Sequence, residues 1–245
     1  MNKSILIFII TYFASYRLEK VYKKIPFKKI FLKNFRVKVL ISDDQSADDT
    51  IKIAKKISYK NNNIILNFNK KRLGYGGNIK FCLKYAIKNN YDYAVMIHGD
   101  NQYNPNYINR MIDIINYQKN VAAVCGSRMY YKKDALKGGM PKYKFIGNIV
   151  LTKIFNFFFN TKFTDCHSGY WFYNLSTIKK INLKKIEDNF NFDNQLRINL
   201  IKKKLNILEI PIKTYYGSER SSVHLFYALK FLLDLFKGKL FKNYL

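Results

Sequence analysis

Three short stretches carry side chains that could do chemistry. Asp100 follows the apolar run Tyr93-Ala94-Val95-Met96-Ile97 and is flanked by His98 and Gln102. Asp43 and Asp44 follow a second apolar run, Val37–Ser42. Asp165, Cys166 and His167 stand side by side further on. A carboxylate at the end of a buried strand is an unusual place for charge. It can offer a hard oxygen ligand to a divalent cation. It can equally be a strand running into a turn, with the acid accepting backbone hydrogen bonds. On residue type alone both readings stand for Asp43, Asp44 and Asp100. For the Asp165-Cys166-His167 triplet, buried packing is the simpler reading. The stretch Leu73-Gly74-Tyr75-Gly76-Gly77-Asn78 permits positive φ and close backbone approach. It lacks the Gly-Lys-Ser/Thr ending of a P-loop.

The elements that must position these residues alternate along the chain. Ile5–Ile10 reads as a buried strand and Ser15–Lys24 as a helix stopped near Pro26. Val37–Ser42 is a second strand. Ser46-Ala47-Asp48-Asp49 then opens a helix in the manner of a capping box. Ile64–Phe68 is a third strand, followed by a loop over Lys70–Gly77 and a helix through Asn89. Asp92–Ile97 is a fourth strand, a helix starts near Pro105, and Val121–Cys125 is a fifth strand. Ser168–Tyr173 reads as a strand, Asp193–Lys203 as a helix, and Ile207–Tyr215 as an edge strand because it contains Pro211. Apolar strands alternating with helices predict an α/β fold with a mostly parallel sheet covered on both faces. Ligands in such sheets sit beyond the carboxyl ends of the strands. Asp43, Asp44 and Asp100 all fall at those ends, so distant segments bring carboxylates to one rim.

The 245 residues suffice for one large core, and 48% hydrophobic residues exclude a disordered chain. Lys and Arg number 44 against 16 Asp and Glu, a net charge of +28. Such a balance favours anionic partners: nucleic acid, anionic membrane or phosphorylated substrates. An AT-rich coding sequence, suggested by the abundant Lys, Asn and Ile, explains the same excess without selection. Nothing supports nucleic acid beyond charge, since no RNP aromatic pattern, basic helix-turn-helix or zinc knuckle is present. Cys82, Cys125 and Cys166 suit free thiols in a reducing compartment. The apolar N-terminus is too short to span a bilayer, and Tyr12 spoils a cleavage pattern before Ala14. Phe145–Asn160 and Val223–Phe236 are also too short to span. Lys142, Lys144, Lys237 and Lys239 flank them, so both stretches could lie in the interface of an anionic membrane. Core or dimer helices are the alternative.

Seven pieces in order resemble a family 2 glycosyltransferase of the GT-A fold, in particular the dolichol- or polyprenyl-phosphate sugar transferase branch. They are SDDQSADDT (42–50), LGYGGN (73–78), GDNQYNP (99–105), GSR (126–128), DCHSGYWF (165–172), EIP (209–211), and Arg220 with Ser221 and Ser222. The resemblance covers nearly the whole chain. It implies a GT-A domain over 1–222 and an apolar, basic C-terminal helix over 223–245. It implies nucleoside binding by Asp44 with Asp43 beside it, and a donor-side loop including Gly76. Asp100, with Gln102, would hold Mg²⁺ or Mn²⁺ against the diphosphate of a UDP- or GDP-sugar. Arg128 would lie near donor or acceptor phosphates, and Arg220 with Ser222 would close over the diphosphate. Asp193 aligns with an acidic position and is the first candidate for a general base, with Asp165 second. A base is needed only if the acceptor is a hydroxyl.

Three departures from the family pattern stand out. His98 occupies the place of the first acid of D-x-D, where it could contact the metal or simply be hydrogen-bonded in place. Trp171 replaces the arginine of D-x-x-S-G-Y-R-x-F, as a core residue or a sugar platform. The N-terminal P-x-Y-N-E motif keeps only its tyrosine, at Tyr12. The expected activity is inverting transfer of a sugar to a polyprenyl phosphate or a cell-surface glycan, on the inner face of the cytoplasmic membrane. A catalytically silent GT-A-like binding or scaffold protein is the alternative.

Overall fold

The computed structural model describes residues 3–216 and 225–240. The chain folds in the order β1 (Lys3–Thr11), α1 (Leu18–Lys23), α2 (Phe27–Phe31), β2 (Phe35–Asp43), α3 (Thr50–Tyr59), β3 (Ile64–Phe68), α4 (Tyr75–Lys88) and β4 (Tyr93–His98). A single 3-10 turn at Pro105–Tyr107 leads to α5 (Ile108–Tyr117) and β5 (Val121–Ser127). Then come α6 (Lys132–Lys137), α7 (Lys142–Phe159), β6 (Trp171–Asn174), α8 (Leu175–Ile178), α9 (Phe192–Lys202), β7 (Asn206–Pro211) and α10 (Leu225–Leu240).

The seven strands form one sheet in the order β3-β2-β1-β4-β6-β5-β7. All pairings are parallel except those of β6 with β4 and β5. The expected mostly parallel α/β sheet is therefore present, and β7 lies at its edge as Pro211 demanded. Alternation along β1 explains the layering. Ile5, Ile7 and Ile9 face a core shared with α1, α2 and α5, whereas Leu6, Phe8 and Ile10 face a core shared with α4 and α9. A strand buried on both faces must be apolar, and Ile5–Ile10 is.

Register brings the chemistry to one rim. Thr11 lies opposite Asp43, and Ile10 lies opposite both Ser42 and His98. β6 runs the other way, with Trp171 opposite Met96 and Cys125. Asp165–Tyr170 therefore leads into β6 from the same rim.

Several boundaries differ from the sequence reading. The glycine loop is shorter, because α4 already begins at Tyr75. Ser46 does not cap α3; its hydroxyl donates to Asp43 Oδ1 at 2.6 Å and accepts from Phe13 N at 2.9 Å. The helix starts at Thr50 with Asp49 at its N-cap and no side-chain cap bond. β6 starts at Trp171 rather than Ser168, and β7 ends at Pro211 rather than Tyr215. The apolar α7 and α10 pack together, with Phe155 stacked on Phe231 at 6.2 Å in a cluster with Ile198 of α9. The expected boundary at 222 falls outside the described residues. No helix among the described residues is long and apolar enough to cross a membrane.

Candidate active site

Asp43 is fully buried, and its oxygens accept from the Thr11 hydroxyl at 2.9 Å and from Ser46 N at 2.8 Å. It therefore joins the end of β1 to the turn after β2. Asp44 accepts from Leu73 N at 2.8 Å, Gly74 N at 2.9 Å and Asn69 Nδ2 at 3.0 Å. Both of its oxygens are engaged by the 69–74 loop. The two acids at the end of β2 thus hold the loops that border the rim, which is the turn reading left open by residue type.

The glycines of that loop do different work. Gly74 has φ +78°, in the region that favours glycine, and serves as the N-cap of α4. Gly76 lies in the first turn of α4, where a Cβ would come within 2.6 Å of the Glu187 carbonyl oxygen and 2.8 Å of Phe192 Cβ. The close approach it permits is to the 187–192 segment. Gly76→Ala is expected to destabilise the fold by about 1–3 kcal/mol, because that backbone must move. Chemical denaturation checks this, and an unchanged midpoint would refute it.

Asp100 is different. Its side chain is 39% exposed. One oxygen accepts from Gln102 N at 2.9 Å, forming a tight turn after β4. The other lies 3.9 Å from His98 Nδ1. The His98 side chain is 18% exposed, and burial lowers its affinity for a proton, partly offset by Asp100. Burial thus favours the neutral imidazole. Its ring meets Tyr103 edge-on at 5.1 Å and Tyr75 at 5.6 Å.

Asp193, in the first turn of α9, reaches the same place from the other side. Its Oδ2 accepts from the Tyr75 hydroxyl at 2.6 Å, and the same hydroxyl is 3.4 Å from His98 Nε2. Burial raises its pKa to about 7 despite that hydrogen bond. Its Oδ1 is buried with no protein partner. Tyr75 carried no signal in the sequence beyond its place between glycines.

Arg128 follows β5. Its Nε donates to Asp165 Oδ2 at 2.7 Å and its Nη2 to Asp165 Oδ1 at 3.0 Å, a forked pair. Nη1 donates to Tyr216 Oη at 3.1 Å. Asp165 is fully buried and also accepts from Asn148 Nδ2 at 2.8 Å and His167 N at 3.0 Å. Burial alone would raise the Asp165 pKa, but Arg128 holds the carboxyl well below the usual range. These bonds leave Asp165 a structural anchor for Arg128, not a base. Asn148, inside the apolar run of α7, was not visible as part of the site.

His167 meets the Phe231 ring edge-on at 4.8 Å, and burial depresses its pKa to about 4. It stays neutral in the folded chain while the unfolded chain protonates near 6.5. Stability from this group is therefore full above that value and falls as pH drops from about 6.5 to about 4. His167→Gln should flatten that part of a pH–stability curve. An unchanged acid limb would contradict the assignment.

Trp171 is a core residue, the first of its two readings. It is fully buried, stacks on Tyr173 at 5.8 Å and donates to Ser168 O at 3.0 Å. The buried Arg197 guanidinium lies 4.8 Å from its ring. Arg220, Ser221 and Ser222 lie outside the described residues. Among the described residues, no three His, Cys, Asp or Glu side chains cluster so as to hold a metal by themselves. The rim therefore offers one exposed carboxylate, a neutral imidazole beside it, and a buried arginine whose charge reaches that imidazole.

Residues 7–181 match the family described as Glycosyl transferase family 2. The chain belongs to that family. A UDP-N-acetylglucosamine–dolichyl-phosphate N-acetylglucosaminyltransferase of Methanococcus voltae is 32% identical over 191 residues, covering 73% of this chain and 74% of its own. Glucosyl-3-phosphoglycerate synthase from Mycobacterium tuberculosis, solved with Mn²⁺, UDP and glucosyl-3-phosphoglycerate, matches with a TM-score of 0.67. Its identity is 11%, over 97% of this chain and 80% of that one. A mannosyltransferase from Pyrobaculum calidifontis, in complex with GDP-Man and Mn²⁺, matches with a TM-score of 0.61 at 10% identity, over 91% and 59%. These structures show that the family 2 member has the GT-A fold. Its enzyme class is that of a glycosyltransferase.

Proposed function

We propose that this family 2 member is a metal-dependent, inverting glycosyltransferase that moves a sugar from a UDP- or GDP-sugar to a polyprenyl phosphate. The observation that carries the reading is the His98–Asp100 pair, 3.9 Å apart at the carboxyl end of β4. One exposed carboxylate and one neutral imidazole suit a cation whose remaining ligands come from diphosphate and water. Mn²⁺ or Mg²⁺, when bound there, would neutralise charge on the departing nucleoside diphosphate. Gln102 supports Asp100 through its backbone N–H. Asp43, Asp44 and Gly76 shape the donor side by fixing the loops around α4, and Arg128 adds positive potential beside His98. Arg220 and Ser222 are proposed to meet the diphosphate.

A phosphate acceptor is already an anion, so the in-line displacement needs no base: its oxygen bonds to the anomeric carbon as the diphosphate leaves. Asp193 would serve as base only toward a hydroxyl acceptor such as a glycan. The similarity to the Methanococcus voltae dolichyl-phosphate enzyme favours the lipid phosphate. So does the surface. Tyr143, Ile146, Val150 and Phe157 of α7 are exposed at helical spacing, with Leu233, Phe236 and Leu240 on α10. Lys142, Lys153, Lys237 and Lys239 accompany them, as on a peripheral helix pair at an anionic membrane. The cytoplasmic face, where nucleotide sugars reside, is the proposed location.

The experiment is direct. Purified protein, Mn²⁺ and vesicles with dolichyl phosphate are incubated with radiolabelled UDP-GlcNAc, UDP-glucose or GDP-mannose. One donor should yield a lipid-extractable product and release its nucleoside diphosphate. Absence of product with every donor, alongside transfer to a soluble glycan, would move the acceptor to hydroxyl chemistry. Absence of nucleoside diphosphate release with either acceptor would sink the enzyme reading.

A further inference from the structure

Tyr75 has one hydroxyl proton and two polar neighbours. Its Oη lies 2.6 Å from Asp193 Oδ2 and 3.4 Å from His98 Nε2. Above about pH 7 Asp193 is ionised and only accepts, so the short contact takes the proton. The Tyr75 oxygen then turns a lone pair toward His98. A bare Nε2 would set lone pair against lone pair, so Nε2 carries the ring hydrogen. A neutral imidazole has one N–H, which leaves Nδ1 bare. That bare nitrogen faces Asp100 Oδ2 across 3.9 Å. Two electron-rich atoms across such a gap can both ligate one cation placed between them.

The surroundings fix the arrangement. A Cβ on Gly169 would come within 2.7 Å of Tyr75 Oη and 2.8 Å of His98 Nε2, so glycine alone leaves room for the contact. Phe190 stacks on the Tyr75 ring at 5.1 Å, and Tyr103 braces the His98 ring edge-on. The three members come from the start of α4, the end of β4 and the start of α9.

We propose that Asp193 and Tyr75 are positioning residues that hold His98 in its Nε2–H tautomer, so that Nδ1 and Asp100 present a nitrogen–oxygen pair to a divalent cation. The inference rests on the metal-dependent reading above. Metal-bound imidazoles commonly donate their other N–H to a carboxylate; here a tyrosine hydroxyl stands between the two. A nitrogen ligand also favours Mn²⁺ over Mg²⁺, the harder ion.

The test begins on metal-free, ¹⁵N-histidine-labelled protein at pH 8, with His98 signals assigned by their loss in His98→Asn. The expected spectrum has a pyrrole-type Nε2 and a pyridine-type Nδ1. Tyr75→Phe should give a mixture of tautomers and weaken Mn²⁺ binding, measured on the metal alone by electron paramagnetic resonance, by about tenfold. Asp193→Asn, a second conservative variant, should shift the same signals. An Nδ1–H tautomer in the unaltered protein overturns the proposal. So does a Tyr75→Phe protein whose tautomer and Mn²⁺ affinity both match the parent. Failure of the underlying reading has its own signature: Asp100→Asn would leave Mn²⁺ affinity unchanged, which removes the metal site and, with it, this role for His98.

Discussion

Asp100→Ala is expected to lower kcat/KM by about a hundred- to a thousandfold, the loss typical of removing one group that stabilises developing charge. The fold should survive. Asp100 is more than a third exposed, and its hydrogen bond is to a neighbouring backbone N–H within its own turn. Surface substitutions of that kind change stability by only about 0.5 kcal/mol. The measurement is steady-state transfer beside a thermal melt. Loss of activity with an unchanged melt supports the metal role. Full activity in Asp100→Ala excludes it, and a collapsed melt would mean that the turn, not the chemistry, needs the acid.

Arg128→Ala is expected to have the largest effect on stability. The Arg128–Asp165 pair is forked, the Asp165 side chain is fully buried, and that of Arg128 is 11% exposed. Removing the arginine strands a buried carboxylate whose remaining partners are an amide and backbone N–H groups. Breaking one side of such a pair costs about 3–5 kcal/mol. Urea denaturation would read it. The double variant Arg128→Met with Asp165→Asn should recover much of the loss, since no unpaired charge remains. Equal instability of the single and double variants would show that shape, not charge, governs the site. The pairing also ties stability to pH. Asp165 is held below the ordinary carboxylate range, so its contribution is complete above that range and drains away as pH falls through and below it.

Much of this architecture is legible from periodicity. β1, β4 and β5 are apolar because both faces of the sheet are covered there, and the position of Asp100 at a strand end follows from that alone. Pro211 announced an edge strand. The second half was harder to read because β6 has only four residues and runs against its neighbours, and no local pattern encodes direction. Motif spacing placed Asp43 and Asp44 at the rim but could not show that both spend their lone pairs on loops. Tyr75, Asn148 and Tyr216 escaped notice for a shared reason. Each acts by touching a residue far off in sequence: Tyr75 touches Asp193, Asn148 touches Asp165, and Tyr216 touches Arg128. His98 looked like the loss of an acid. Its surroundings instead supply a bare nitrogen, a contact that becomes visible only when three elements meet.

The reversed strand β6 has a consequence for how the chain is built. β4 and β5 do not touch each other across the sheet; the four residues Trp171–Asn174 join them. During synthesis, β1 to β4 can pair as they emerge, but β5 has no place beside them until residue 174 is available. Contacts of such sequence separation form late. Asp100 belongs to the early half and Arg128 to the late one, so the seam between them cannot close before β6 is made. The enzyme's working rim is then also a checkpoint of assembly: a nascent chain that fails to thread β6 has a completed half-sheet but no site.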